Sequence, residues 1–389
     1  MNGKPSPNFN RAIRATLPVG VIAMAISLAN FSPHTEQFFR SYLLAYFFWL
    51  GFPLGSLAIL MMHHLTGGDW GLPIRRPLEA ATRTFPLMLI LFLPLIFGLK
   101  SLFPWTQPGA FGDDPVLKFK RTYLSLNFFM TRAVIYFLIW FTLSYFLNKW
   151  SEEQDSTGDP ATAKRLEGMS GPGLILYGLT VTYAAIDWVM SLQPTWFSTI
   201  FGMIVMMVGV LGAMSLVIVV ARLLSDFEPM ASVVTPAQFN DLGNLLLAFV
   251  MLWAYLSFSQ FLIIWAGNLP KEISWYVVRA NGGWAKLAIF LIIFHFAIPF
   301  LLLLQRPLKR KMRALSILAG ALIFISFVDV YWLVVPAFEK AGPHLHPLDI
   351  TLVIAIGEFW LATFVWQLKR RPVVPLHDPR FERVAEHGD

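Results

Sequence analysis

Residues 241–276, DLGNLLLAFVMLWAYLSFSQFLIIWAGNLPKEISWY, run for about 25 residues after Asp241 without a charge. At 1.5 Å of rise per residue, such a helix crosses a bilayer core of roughly 30 Å. The stretch therefore reads as a membrane-spanning helix. Its polar residues, Ser257, Ser259 and Gln260, can bond the backbone or a neighbouring helix, so the span is expected inside a bundle rather than in lipid alone. Trp265, Trp275 and Tyr276 bracket its exit, where amphipathic rings prefer the headgroup level. Asn268-Leu269-Pro270 ends the helix and leaves Lys271 and Glu272 in water.

The same pattern recurs along the chain. With 56% hydrophobic and 14% charged residues among 389, most of the protein needs a solvent as apolar as its side chains. The expected fold is all-α: a polytopic membrane protein forming a single integral domain over 1–389, with ten transmembrane helices. These spans lie at about 17–31, 41–62, 83–100, 123–147, 172–191, 197–221, 242–266, 284–304, 314–335 and 348–368. The polar N-terminus, MNGKPSPNFNRAIRATLP, precedes an apolar run without a small-x-small cleavage site, so no removable signal peptide is expected. An even number of spans puts both termini on one side. That side carries 20 Lys and Arg against 9 on the other, with Arg132 inside a span. By the positive-inside rule both termini are cytoplasmic. The basic residues between spans match loops beside anionic lipid, and a nucleic-acid role is set aside. The longest loop, 148–171, is acidic and expected to be flexible.

Ionisable residues inside the spans are expensive and need a partner or a wet cavity. Arg132 and Asp187 fall in the outer half of spans 4 and 5, where pairing would satisfy both. His295 and Glu358 fall near mid-membrane and Asp329 in the outer third, with Asp349 at the outer edge of span 10. His295 reads first as a hydrogen-bonded structural histidine, whereas Glu358, at the most costly depth, reads as functional. His63 and His64 end span 2 at the inner surface. Adjacent helical residues point about 100° apart, so the two cannot face one ligand, and they read first as a solvated helix end. The segment RRPLEAATRTFP, with Arg75, Arg76, Glu79 and Arg83, reads as an interfacial helix with intrahelical ion pairs. Gly51 and Gly55 in span 2 allow close helix approach. Span 6, rich in Met and Gly, reads as packing surface.

Chemistry is bounded mostly by what is missing. No cysteine is present, which excludes disulfides, thiolate iron–sulfur clusters and covalent c-type haem in this chain. No histidine pair stands at matched depth for a b-type haem, no metal site is expected, and hydrolase, ATPase and protease signatures are absent. What remains is a ladder of titratable groups: His63 and His64 inside, His295 and Glu358 in the middle, Asp187 and Asp329 outside. That pattern suits proton movement, or a hydrophobic redox carrier lodged between helices. A secondary transporter would share the span number and buried carboxylates, but should show broken helices in inverted repeats around a midplane site. No such symmetry is visible. A purely structural anchor would need none of the buried carboxylates.

Four strings, LMMHHLTGGDWG (60–71), LFLPLIFGLKSLFPW (91–105), DWVMSLQPTWFSTIFG (187–202) and residues 241–276, resemble the second NrfD-like (polysulfide-reductase-type) membrane subunit of bacterial alternative complex III. This family belongs to a quinol:electron-acceptor oxidoreductase. The likeness covers about residues 40 to 370. It implies two four-helix bundles, spans 2–5 (41–191) and 6–9 (197–335), flanked by spans 1 and 10. It also implies a bacterial inner-membrane location and partners: a paralogous quinol-binding subunit, an iron–sulfur subunit and c-type haem subunits. The cofactors would be quinone in the membrane, with haem c and iron–sulfur clusters confined to partner subunits and no metal redox centre in this chain. The family's quinol pocket lies near the outer face of the first bundle and uses a His with an Asp. Here the candidate quinone pocket is Arg132, Asp187 and Trp188, but no histidine lies in the outer half of that bundle. That departure favours support of quinol oxidation by the paralogue, with proton conduction, over catalysis in this chain.

Overall fold

A computed structural model describes residues 7–112 and 114–375, with side chains omitted for 7–16, 232 and 233. The tail residues counted above, 1–6 and 376–389, lie outside that range. The described chain is helical, with no strand among the described residues. Nine helices among them are long and apolar enough to cross a membrane. A shorter apolar helix, Leu17–Ala29, forms the end of a helix that begins at Pro7.

In chain order the main helices are α1 (Pro7–Ala29), α2 (Thr35–Thr66), α3 (Arg75–Thr82), α4 (Phe85–Phe97), α5 (Leu126–Thr157) and α6 (Pro160–Trp188). They continue as α7 (Phe201–Leu224), α8 (Pro236–Gly267), α9 (Pro270–Ala280), α10 (Gly282–Leu304, with an internal π turn), α11 (Met312–Val334) and α12 (Pro347–Lys369). The turns between them carry local signals. Thr235 and Gln238 form a reciprocal capping box that starts α8. Asn268, at φ 45°, closes it in the left-handed conformation just before Pro270, the stop expected from Asn268-Leu269-Pro270.

α2 and α7 form the centre. They cross so closely that a Cβ on Gly55 would lie 2.2 Å from the Gly209 carbonyl oxygen, and Gly51 meets the Gly209 Cα. The close approach expected of Gly51 and Gly55 is therefore used, and α7 is a buried packing element, as its composition suggests. Around this crossing α2 also packs on α4, α6, α11 and α12. In addition α4 packs on α5, and α5 on α6. On the other flank α7 packs on α8 and α11, α8 on the C-terminal half of α10, and α10 on α11. α1 lies against α12.

One expectation fails here. The stretch 148–171 is not a flexible loop: α5 and α6 run through it, joined only by Gly158 in the left-handed conformation and by Asp159, whose side chain caps α6. Those extensions are held down by polar contacts described below. Trp275 is buried within the protein, stacked on Trp196 at 5.0 Å and edge-on to Trp332 at 5.2 Å. Trp265 is exposed.

Candidate functional site

The helix neighbours place the ionisable residues in three groups. At the end of the molecule where α2 and α12 finish, α3 is buried along its whole length. Arg75 Nε donates to Glu79 Oε1 at 3.1 Å and Arg76 to Glu79 Oε2 at 2.7 Å. These are the intrahelical pairs the sequence suggests, and the helix that carries them is buried within the protein rather than exposed. Ser151 Oγ donates to Glu79 at 2.6 Å, Arg75 donates to Gln154 at 2.7 Å, and Arg76 pairs with Asp155. Arg371, beyond α12, reaches Glu79 at 3.8 Å and Glu152 at 2.7 Å. One carboxylate thus ties α3, α5 and the segment after α12. Its polar partners on α5 are also what keep 148–157 helical.

Beside it, His63 and His64 are buried rather than solvated. They diverge as the helical angle requires: His64 Nδ1 lies 3.2 Å from Ser170 Oγ on α6, while His63 packs edge-on to Trp70. A Cβ on residue 71 would collide with the His63 ring at 1.9 Å, so Gly71 is needed to let it in.

At the opposite end, Arg132 of α5 and Asp187 of α6 form the pair that lone buried charges demand. Arg132 donates to both carboxylate oxygens, at 2.8 and 2.7 Å, and Tyr136 Oη donates to Oδ2 at 2.7 Å. The guanidinium also bonds the Tyr123 carbonyl and lies 3.8 Å from the Tyr123 ring centre. Trp188 is buried among Tyr46, Phe92 and Phe137. The cavity that Trp188 lines is an apolar void of about 40 Å³ between α2, α6, α7 and α11. That has room for water but not for a quinone ring, and neither Arg132 nor Asp187 is among its lining residues.

The third group is the counterpart of the second. Trp253 Nε1 of α8 donates to Asp329 Oδ2 of α11 at 2.8 Å, and His295 Nδ1 of α10 lies 3.5 Å from the same oxygen. The latter contact is an ion pair only when the imidazole is protonated. His295 is fully buried, 4.3 Å from Trp253 ring to ring, and its ring nitrogens make no hydrogen bond among the described residues. It is not the hydrogen-bonded structural histidine the sequence suggests. His295 and Asp329 also share one level, where the sequence puts them at two depths. Pro299 lacks the N–H that would bond the His295 carbonyl in an α ladder. The chain widens into a π turn over Ile292–Ala297, a feature that re-aims side chains.

Glu358 stands apart from all three groups. It is half-buried against α1, where Gly20 leaves space for its Cβ, and it has no hydrogen bond or ion pair among the described residues. No group of three or more metal-ligating side chains occurs among them either.

The correspondence between the second and third groups has a sequence signal that a search for inverted repeats overlooks. Asp187 precedes Pro194 by seven residues, and Asp329 precedes Pro336 by seven. Each Asp lies in the last two turns of a helix whose preceding long helix supplies the basic partner, Arg132 or His295. No family model matches this chain, and no curated protein matches it.

Proposed function

We propose that this chain is a membrane subunit of a quinol:electron-acceptor oxidoreductase of the alternative complex III type. In this reading it supports quinol oxidation by a paralogous subunit and conducts protons, without a metal redox centre of its own. The observation that carries the reading is the repeated basic–acidic site, Arg132 with Asp187 and His295 with Asp329. The two lie at the same end of two sets of four long neighbouring helices, α2, α4, α5 and α6, and α7, α8, α10 and α11. With α1 counted as a span, the neighbours support ten crossings: two four-helix bundles flanked by α1 and α12. The two sets then run in the same direction, unlike the inverted repeats of the secondary transporters considered above. The basic bias puts both termini in the cytoplasm of a bacterial inner membrane.

Protons would enter beside His63 and His64 and leave through the Asp329 and Asp187 level, with ordered water bridging the gap. His295 is the group placed to exchange a proton with Asp329, because its Nδ1 lies 3.5 Å from the carboxylate. Arg132 stays charged and holds Asp187 closed. Glu358, outside both sets, has no partner in such a route.

Purification from native membranes through a tag on this chain should bring down subunits with haem c and iron–sulfur absorbance. Their absence under conditions that preserve other membrane complexes would overturn the assignment. In the same preparation, sealed in vesicles, His295→Gln should lower proton release per electron while the subunits stay assembled. An unchanged stoichiometry leaves the chain as an anchor.

A further inference from the structure

Beside the third group, α8, α9, α10 and α11 enclose a cleft of about 710 Å³, lined chiefly by apolar side chains. This is within the usual range of small-molecule sites, roughly 300–1,000 Å³. Its lining includes the polar side chains Ser257, Gln260 and Tyr276 and two charged groups at different levels along α11. At the deeper level is Asp329. Both of that residue's contacts fall on Oδ2, and Oδ1 bonds none of the described residues. At the shallower level is Arg279 of α9, only 2% exposed. Its guanidinium donates to the carbonyls of Trp275, Trp332 and Leu333 at 3.2, 3.2 and 2.9 Å and lies flat on Trp275 at 3.5 Å. It has no carboxylate within ion-pair distance among the described residues. A guanidinium offers five N–H donors, so two remain. A buried cation without an anion is costly, and here it borders a cavity. Trp332, also in the lining, has a buried Nε1 with no hydrogen-bond partner.

We propose that this cleft binds the headgroup of a quinol or quinone, at a site separate from Arg132, Asp187 and Trp188. Leu333, which accepts from Arg279, lies one turn from Asp329, and four residues rise about 6 Å along a helix. One quinol oxygen accepts from Arg279, and the other hydroxyl donates to Asp329 Oδ1, with His295 behind Asp329. The flat apolar walls, Trp253 and Trp275 among them, match an aromatic ring. The tail has an exit, because lining residues Met251, Tyr255, Phe258, Ile289 and Ile292 are exposed on the surface that faces lipid. The inference is one of binding. It rests on the quinol-complex reading for the choice of ligand, not for the existence of the site.

The test uses the full chain in nanodiscs of zwitterionic lipid with a short-tailed azido-quinone photolabel. Label is expected on peptides within 251–261 and 275–292, competed by unlabelled short-tailed quinone. Arg279→Gln should weaken competition at least tenfold. Because Arg279 also holds three carbonyls, Ala288→Phe serves as the second variant: it fills the cleft from its half-buried wall without removing a polar contact. It should abolish labelling while the thermal midpoint is retained. Label on peptides around 132–140 and 184–192 instead, or undiminished labelling in a folded Ala288→Phe protein, overturns the proposal. So does equal protection by phosphatidylglycerol at the same mole fraction, which would assign Arg279 to a lipid phosphate. If labelling maps to the cleft but no haem or iron–sulfur subunits co-purify, the site stands and the complex assignment falls. Co-purification without labelling gives the reverse.

Discussion

Glu79→Gln is expected to lower the stability of the detergent-solubilised protein by about 3–5 kcal/mol, the range for removing one member of a buried charge cluster. Glu79 is wholly buried and answers Arg75 at 3.1 Å, Arg76 at 2.7 Å and Arg371 at 3.8 Å. An amide keeps the volume but accepts through one oxygen only, so neutralising residue 79 leaves several guanidiniums facing each other with less anion between them. Asp155 and Glu152 each answer one arginine from the edge and cannot replace the central carboxylate. Because Glu79 joins α3, α5 and the segment after α12, the loss should spread as earlier melting of that whole end, seen as faster proteolysis near Thr157 and Arg371. Glu152→Gln is the matched control. Its carboxylate is 71% exposed, and such surface pairs contribute roughly 0–1 kcal/mol. Equal unfolding midpoints for the two variants would show that Glu79 is not the keystone of this cluster.

The contrast between the two ends of the molecule explains what the sequence discloses. The spans are legible because burial in lipid demands long uncharged runs, and a helix end such as Asn268 follows from backbone chemistry alone. The pairing of Arg132 with Asp187 is legible for a similar reason, since neither charge is tolerable unpartnered. The buried state of His63, His64 and α3 is not. Whether a polar segment at a helix end meets water or another helix depends on residues far along the chain, here Ser151, Ser170 and Arg371. Depth read by counting residues also fails for His295 and Asp329, which meet across α10 and α11 at one level. Arg279 was hidden differently. A single basic residue in a short outer segment looks like a solvated charge until Trp275 and the carbonyls of α11 close over it.

Arg132→Met and Asp187→Leu, made singly, should each destabilise the protein by about 3–5 kcal/mol, whereas the double variant should recover most of the loss. The single changes leave either a carboxylate with only Tyr136 to answer it, or a guanidinium with only the Tyr123 carbonyl and two rings. The double change leaves apolar side chains among Phe129, Ala133 and Ala184, which are already buried. The measurement is a double-mutant cycle on thermal or denaturant midpoints in one detergent; a coupling below about 0.5 kcal/mol, the additivity limit for independent sites, would mean the pair is not a unit. The cycle also separates two roles for Asp187. Both of its oxygens are taken by Arg132 and Tyr136, the arrangement of a helix clamp, whereas Asp329 keeps Oδ1 open beside an imidazole. If the double variant assembles into the complex and proton release per electron is unchanged, Asp187 serves only to hold α5 against α6. The proton exit then narrows to His295 and Asp329. If release falls in a complex of normal stability, the clamp opens during turnover and Asp187 carries protons after all.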